Sequence, residues 1–376
     1  MTLELASPAP FLFESIANLP MVCQPGLDDR DSLAEGTAGT GPFVLEEAAP
    51  GENYTYQVRE GYSWGPDGAS TDETGTPETI QVRVIPNETT SANELVAGTV
   101  NAAQVVGSDT DRLQSAGLFA VETPAIIGEQ WHNHAAGRPT SDPVVRTALT
   151  QAVDLSELQQ VVTAGNGAEP DQLAVLPPTG CPGGSIDALP DHDPEGAAAA
   201  LDDAGWTVGD DGVRTKDGEQ LRVRFIHDAT LGPGGRAAAE IAEEAWVALG
   251  VEVEAAELPQ AQMSEILFGS GDWDVAWEPV NVSTPEQLVP FLSGPGIADG
   301  GTNFAAIDNA DYSAAVETAT GKVGAEGCDD WMAAEEALFA SADVVPFASN
   351  LVRTFGNGAE FEVTGSLVPT SIRMLG

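Results

Sequence analysis

An α/β fold with two or more lobes is what this sequence predicts, and three observations predict it. Short segments that alternate apolar and polar residues recur along the chain, stretches of helical spacing with well-formed ends lie between them, and 376 residues at 42% apolar content suffice for more than one buried core. Glycine and proline are plentiful, 41 and 26 residues, but they fall between periodic segments and therefore punctuate structure.

The elements follow in order. Between Leu3 and about Asp31, an apolar run from Phe11 to Val22 broken at Pro20 reads as a short strand and a helix. Phe43 through Val58 and Thr79 to Ile85 alternate with β-branched enrichment, the mark of half-buried strands, with a turn-rich stretch from Gly61 to Pro77 between them. Asp142-Pro143 opens a helix, Asp as cap and Pro at the first helical position, and Val145, Leu149 and Val153 recur at helical spacing. Asp193-Pro194 repeats that opening, and Gly205 stops the helix it begins.

Asp211-Gly212 and Asp217-Gly218 mark tight turns before the alternating strand Leu221 to Phe225. A helix from about Gly235 to Leu249, the alternating run Val251 to Glu254 and a buried strand from Trp273 to Trp277 complete a strand, helix, strand series. Helices from Asp311 to Ala319 and from Asp329 to Ala342 precede an apolar segment at Val344 to Phe347. No internal repeat is present.

Composition limits the functions open to the chain. Its formal charge is −45, with 59 acidic side chains against 14 basic ones spread along the sequence, which disfavours nucleic acid and anionic lipid as partners. Such a surface is heavily solvated and suits a salty or extracellular setting. No run approaches the roughly 18 apolar residues that span a bilayer. The start, Met1-Thr2-Leu3-Glu4-Leu5, has neither a basic n-region nor an apolar h-region, so no secretory signal is expected in the sequence as it stands. Cys23, Cys181 and Cys328 form no CxxC pair and give no support to zinc or thioredoxin-like chemistry. One disulfide with one leftover thiol fits the count, and spacing leaves open which two pair.

Tests for catalytic or metal-binding patterns come back empty. Gly36 to Gly41 has the glycine spacing of a phosphate loop, but Pro42-Phe43 stands where Lys and Ser or Thr are required, so a turn into a strand is the better reading. His132-Asn133-His134 shares letters with a nuclease motif yet has no ligand set or basic surface beside it, and a structural loop is expected. His192 and His227 are isolated and read as surface or pocket-wall polarity. Asp308 to Asp311 lacks the glycine and the terminal glutamate of a calcium loop and reads as a helix start. No HExxH pattern or GxSxG elbow occurs, and no catalytic carboxylate pair stands out from spacing alone. Trp273 and Trp277, four residues apart, would face one side of a strand, as a stacking wall at a cleft or as core.

Several segments resemble a known family. Gly39 to Leu45 (GTGPFVL) is similar to the GTGP(Y/F) segment of solute-binding protein family 5, the oligopeptide, dipeptide and nickel binders of ABC importers. Asp142 to Asp154 resembles that family's D-x-x-VRxAL…A(I/V)D helix, and Asp193 to Trp206 its DPEKAxxLLxEAGW helix. Gly271-Asp272-Trp273-Asp274 with Trp277 looks like its GDxD…W strand, Thr302 to Tyr312 like its NFxxYxN region, and Val345-Pro346-Phe347 like its closing segment.

The resemblance implies an extracytoplasmic receptor, periplasmic or held at the cell surface by a lipid anchor, that hands a ligand to ABC permease subunits. It implies a monomer without enzymatic activity, cofactor or metal. The implied fold is a two-lobed clamshell of the periplasmic binding protein type (type II) with mixed sheets, in which a ligand touching both lobes favours the closed state. Residues 1–38 are expected to be a remnant of a small N-terminal subdomain, 39–125 with 345–376 an incomplete lobe I, and 126–344 lobe II. In this family the GTGP segment follows a signal peptide, opening strands and a further small domain, so an N-terminally truncated chain lacking part of its first lobe is expected.

Trp277, Trp273, Trp131, Asn281 and the loop of His227, Asp228 and Thr230 are implied to line the cleft. Dipeptide binders hold the ligand's amino terminus with an Asp shortly after the pocket Trp. Here Glu278 to Pro285 holds no Asp, and their carboxylate-binding Arg falls near Ala229 and Thr230, with Arg236 displaced along the next helix. A buried charge without its partner is costly, so a longer peptide gripped by its backbone is the expected ligand, with a tryptophan-stacked oligosaccharide as the alternative. A secreted hydrolase and a non-functional remnant are the readings from other classes.

Overall fold

The computed structural model describes residues 4–5, 9–12, 21–34, 36, 38–107 and 109–376. Most of the strand and helix expected before Asp31 lies outside these residues; the described part is a short helix, Gln24–Asp28. The chain forms two compact units, a larger one of Met1–Glu14 with Pro124–Asn350 and a smaller one of Ser15–Thr123 with Leu351–Gly376.

In the smaller unit, β1 (Phe43–Ala49), β2 (Asn53–Val58) and β3 (Thr79–Arg83) form an antiparallel sheet in the order β1-β2-β3. Gly51, at φ +80°, turns the chain between β1 and β2. The unit's apolar cluster lies elsewhere. The helix Glu88–Val96 is capped by Asn87, whose side-chain oxygen accepts from Thr90 N at 2.9 Å. Its Ala92 and Leu95, one turn apart, pack with Val105 of β4 (Ala102–Val105), Leu113 of the helix Asp109–Ser115, and Phe355.

The larger unit is built on a mixed sheet. After β5 (Phe119–His132) come the helix Pro143–Gln151, capped by Asp142 (3.0 Å to Val144 N), and the helix Pro194–Asp203, capped by Asp193 (2.9 Å to Gly196 N). The expected tight turns at Gly212 and Gly218 join three short strands, β6 (Thr207–Val208), β7 (Arg214–Lys216) and β8 (Glu219–Gln220). Next are β9 (Arg222–Asp228), the helix Gly232–Ala248, β10 (Glu252–Leu258), β11 (Val275–Trp277) and β12 (Val344–Gly356). The strand order is β10-β9-β11-β5-β12; β9 runs parallel to β10 and β11, and β11 antiparallel to β5. Beyond Asn350, β12 belongs to the smaller unit, and there Arg353 to Gly356 pair with β4.

Both faces of the larger unit's sheet are covered, which is why β11 reads Val-Ala-Trp without a polar residue. Side chains alternate. Phe225, Val275 and Trp277 join Leu149, Leu201 and Trp246 in one apolar cluster, whereas Ile226, Ala276 and Trp131 join Phe304, Tyr312 and Trp331 in the other.

On the second face, Cys181 is bonded to Cys328 at the start of the helix Cys328–Ala340, and Cys23 is a free thiol. The cross-link restrains a loop of 147 residues, so replacing both cysteines by serine is expected to cost about 2–4 kcal/mol. Urea unfolding of the oxidised wild type and the double variant measures this; equal midpoints and slopes would show the bond to be energetically idle.

Candidate functional site

Strand pairing brings together residues far apart in sequence at one end of the mixed sheet. Trp277 of β11 lies opposite His227 of β9 on one side and Gln130 of β5 on the other. The next row, in the same register, is therefore Asp228, Glu278 and Glu129, and Glu278 N donates to Glu129 O at 3.1 Å. Alternation sets the direction of each side chain. His227, Trp277 and Gln130 share the face of Phe225, while Asp228, Glu278 and Glu129 share the face of Ile226, Ala276 and Trp131.

The three expected tryptophans are fully buried, each 0% exposed. Trp277 packs against Phe225, Phe347 and His227, and its indole N–H donates to Gln130 Oε1 at 3.0 Å. From there a chain of hydrogen bonds crosses the core. Gln130 Nε2 lies 3.2 Å from His132 Nε2, and His132 Nδ1 lies 2.7 Å from the Ala342 carbonyl. A carbonyl only accepts, so Nδ1 carries the proton and Nε2 accepts from the amide. Burial and the nearby Arg146 push His132 down to about 3, which keeps that neutral form in place.

Trp131 donates to Glu278 O at 2.8 Å and stacks beside Phe304 at 4.7 Å between centroids. Trp273 also lies near Phe304, in the cluster opposite that of Trp277. This corrects the expectation that Trp273 and Trp277 share one side of a strand. The strand begins only at Val275; Gly271 takes the left-handed conformation (φ +64°) and Trp273 N bonds back to Gly271 O, so the two-residue period does not reach Trp273.

Asn281 is half-buried with both ends of its amide in use, accepting from Ile126 N and donating to Ile126 O, each at 2.8 Å. Asp228 is buried and accepts from Thr230 N at 2.7 Å, while Thr230 itself is exposed. His227 is buried, its Nδ1 has no hydrogen-bond partner, and burial lowers its pKa. The expected loop at His132 to His134 is instead the end of β5 and the residues after it. Next to it, Asp343 is held by Arg146 (3.0 Å) and Asn309 (2.8 Å), while the neutral His134 ring lies 3.4 Å away without a hydrogen bond to it.

Sequence reasoning missed two residues, Glu129 and Glu278. Glu129 Oε2 accepts from Val280 N at 2.6 Å, and Glu278 Oε1 from Gln260 Nε2 at 3.0 Å. The second oxygen of each, Glu129 Oε1 and Glu278 Oε2, is shielded from solvent, and the Trp131 N–H that donates to Glu278 O also lies close enough to favour the ionised Glu129 carboxyl. Burial raises Glu129 to about 8 against the pull of the Val280 N–H, and burial also raises Glu278. A glutamate at each position is visible in the sequence; their adjacency is not, because it rests on the register of three strands.

The fold is that of solute-binding proteins. The chain superposes on the oligopeptide-binding protein AppA of Bacillus subtilis, solved with a nonapeptide, at a TM-score of 0.81 and 17% identity, covering 99% of this chain and 76% of that one. A substrate-binding protein of Microbacterium hydrocarbonoxydans, solved with 4-hydroxybenzoate hydrazide, gives 0.74 at 23% identity over 94% and 72%.

Residues 1–298 match the family model described as bacterial extracellular solute-binding proteins, family 5 Middle, and the chain belongs to that family. Among curated proteins it is 26% identical over 272 residues to the nickel-binding periplasmic protein of Escherichia coli (strain K12), 66% of this chain and 46% of that one. It is 26% identical over 201 residues to Protein XP55 of Streptomyces lividans, 50% and 33% respectively. The chain thus spans less than half the length of these curated relatives.

Proposed function

We propose that the chain is the ligand-binding part of an extracytoplasmic receptor that delivers oligopeptides to the permease of an ABC importer. The observation that carries this reading is family membership over residues 1–298 joined to a fold that follows a nonapeptide-bound receptor along 99% of the chain. Such a receptor acts by binding, as a monomer, without turnover, and reports occupancy because the ligand favours one conformation over another. Among the described residues no helix is long and apolar enough to cross a membrane, so the permease would supply the passage.

The expected result of native mass spectrometry on the protein recovered gently from its host is a population carrying peptide masses. Calorimetry with synthetic peptides is expected to give saturable binding. A ligand-free spectrum together with no heat from peptides, but competition among cello- or xylo-oligosaccharides, would replace the peptide reading with a sugar one.

A further inference from the structure

We propose that Glu335 and the Cys181–Cys328 bond are positioning elements for ligand binding: together they anchor a loop, residues 171–185, that holds residues 280–284 and with them Asn281. This rests on the receptor reading, under which Asn281 faces ligand, and goes beyond it in assigning what fixes that residue. All of these groups belong to the larger unit. Cys328 and Glu335 stand seven residues apart on the helix Cys328–Ala340, two turns along one face. Both reach into the same loop.

Glu335 is 4% exposed, among Tyr312, Trp331 and Leu338. A carboxyl group in such surroundings is costly unless its oxygens are bonded, and both are spent on the loop. The Leu173 N–H donates to Oε1 and Oε2, each at 3.1 Å, and the Ser185 hydroxyl donates to Oε1. The two ends of the loop are thereby drawn to one residue, and Ser185 N closes them further on Asp171 O at 3.0 Å. The disulfide fixes a point between those ends. Gly183 lies against Met332 of the same helix.

The other side of the loop meets residues 280–284. Leu176 N donates to Val282 O at 3.0 Å and Gly180 N to Ser283 O at 2.8 Å. A Cβ on Gly180 would lie 2.9 Å from Thr284 Cγ2 and Phe11 Cε1, so this approach requires glycine. In sequence, Asn281 falls between these bonds and the one from Val280 N to Glu129, and its amide is fixed on Ile126. Direct contacts thus run from the helix through the loop to Asn281. Ile126 N, whose acceptor is Asn281 Oδ1, reports the last step.

Amide hydrogen exchange without ligand is the test. In the double variant Cys181→Ser, Cys328→Ser and in Glu335→Met, which fills the space without an acceptor, exchange at Gly180, Val280 and Ile126 is expected to quicken at least about tenfold. Glu335→Gln, which keeps an acceptor, is expected to stay near wild-type rates. Ser185→Ala removes one bond and takes the place of Glu335→Met if that variant does not fold. Leu201→Ala, in the apolar cluster on the other face of the sheet, controls for general loosening. Unchanged exchange at Val280 and Ile126, equal quickening in Leu201→Ala, or a Glu335→Gln variant as loose as Glu335→Met overturns the proposal.

Calorimetry with penta-alanine separates the two readings. Affinity at least about tenfold weaker in the double serine variant, with exchange quickened, supports both. Quickened exchange with unchanged affinity overturns the positioning role and leaves the peptide receptor standing. Quickened exchange with penta-alanine bound by neither wild type nor variant supports the anchoring of Asn281 and counts against the peptide reading.

Discussion

Replacing Trp277 by alanine is expected to destabilise the larger unit by about 3–5 kcal/mol, the cost of deleting a large aromatic side chain from a packed core. The ring is 0% exposed and lies within 4.7 to 5.0 Å, centroid to centroid, of Phe347 and Phe225. Truncation also removes the donor to Gln130 Oε1, leaving a buried amide oxygen unmet at the head of the relay through His132 to the Ala342 carbonyl. Urea unfolding followed by tryptophan fluorescence measures the loss. A cost below about 1 kcal/mol would mean that the ring is not core and would return it to the cleft wall inferred from resemblance.

The two roles are also separable by binding. If Trp277 acts only through packing, Trp277→Phe, which keeps an aromatic body without the N–H, recovers most of the stability and leaves ligand affinity unchanged. A residue that stacks on ligand would show lost affinity in both variants.

Features encoded locally were legible in the sequence. Asp142, Asp193 and Asn309 each stand before a helix and each accepts from a backbone N–H two or three residues on, because a short polar side chain satisfies an orphan donor wherever the chain enters a helix. The turns at Gly212 and Gly218 follow from the positive φ that glycine tolerates.

What stayed hidden depends on pairing between distant segments. Trp273 was misplaced because a period of two predicts a face only inside the strand, and the strand boundary at Val275 is set by the Gly271 turn. The Cys181–Cys328 bond joins positions 147 residues apart, and three cysteines permit three pairings. The acid row is invisible for a further reason. Glu129, Asp228 and Glu278 are three of 59 acidic residues, and only the registers of β9, β11 and β5 set them side by side.

Glu129 offers the clearest pH signature. Burial raises its carboxyl from 4.5 to about 8, so between those values the folded chain keeps a proton that the unfolded chain has released. The native state binds more protons in that window, and stability therefore falls as pH rises through it. Glu335, pushed up to about 7, and Asp343, to about 6, act in the same direction. His132 and His134, pushed down to about 3, act oppositely below 6.5, since unfolding lets them take up protons.

The Glu129→Gln variant isolates one contribution from the rest, because glutamine keeps the shape of the protonated acid, can still accept from Val280 N and does not titrate. Relative to wild type, the variant is expected to gain on the order of 4 kcal/mol of stability between pH 5 and pH 8. Parallel urea titrations at the two pH values measure that difference. A constant offset would show that Glu129 ionises as easily in the folded chain as in the unfolded one.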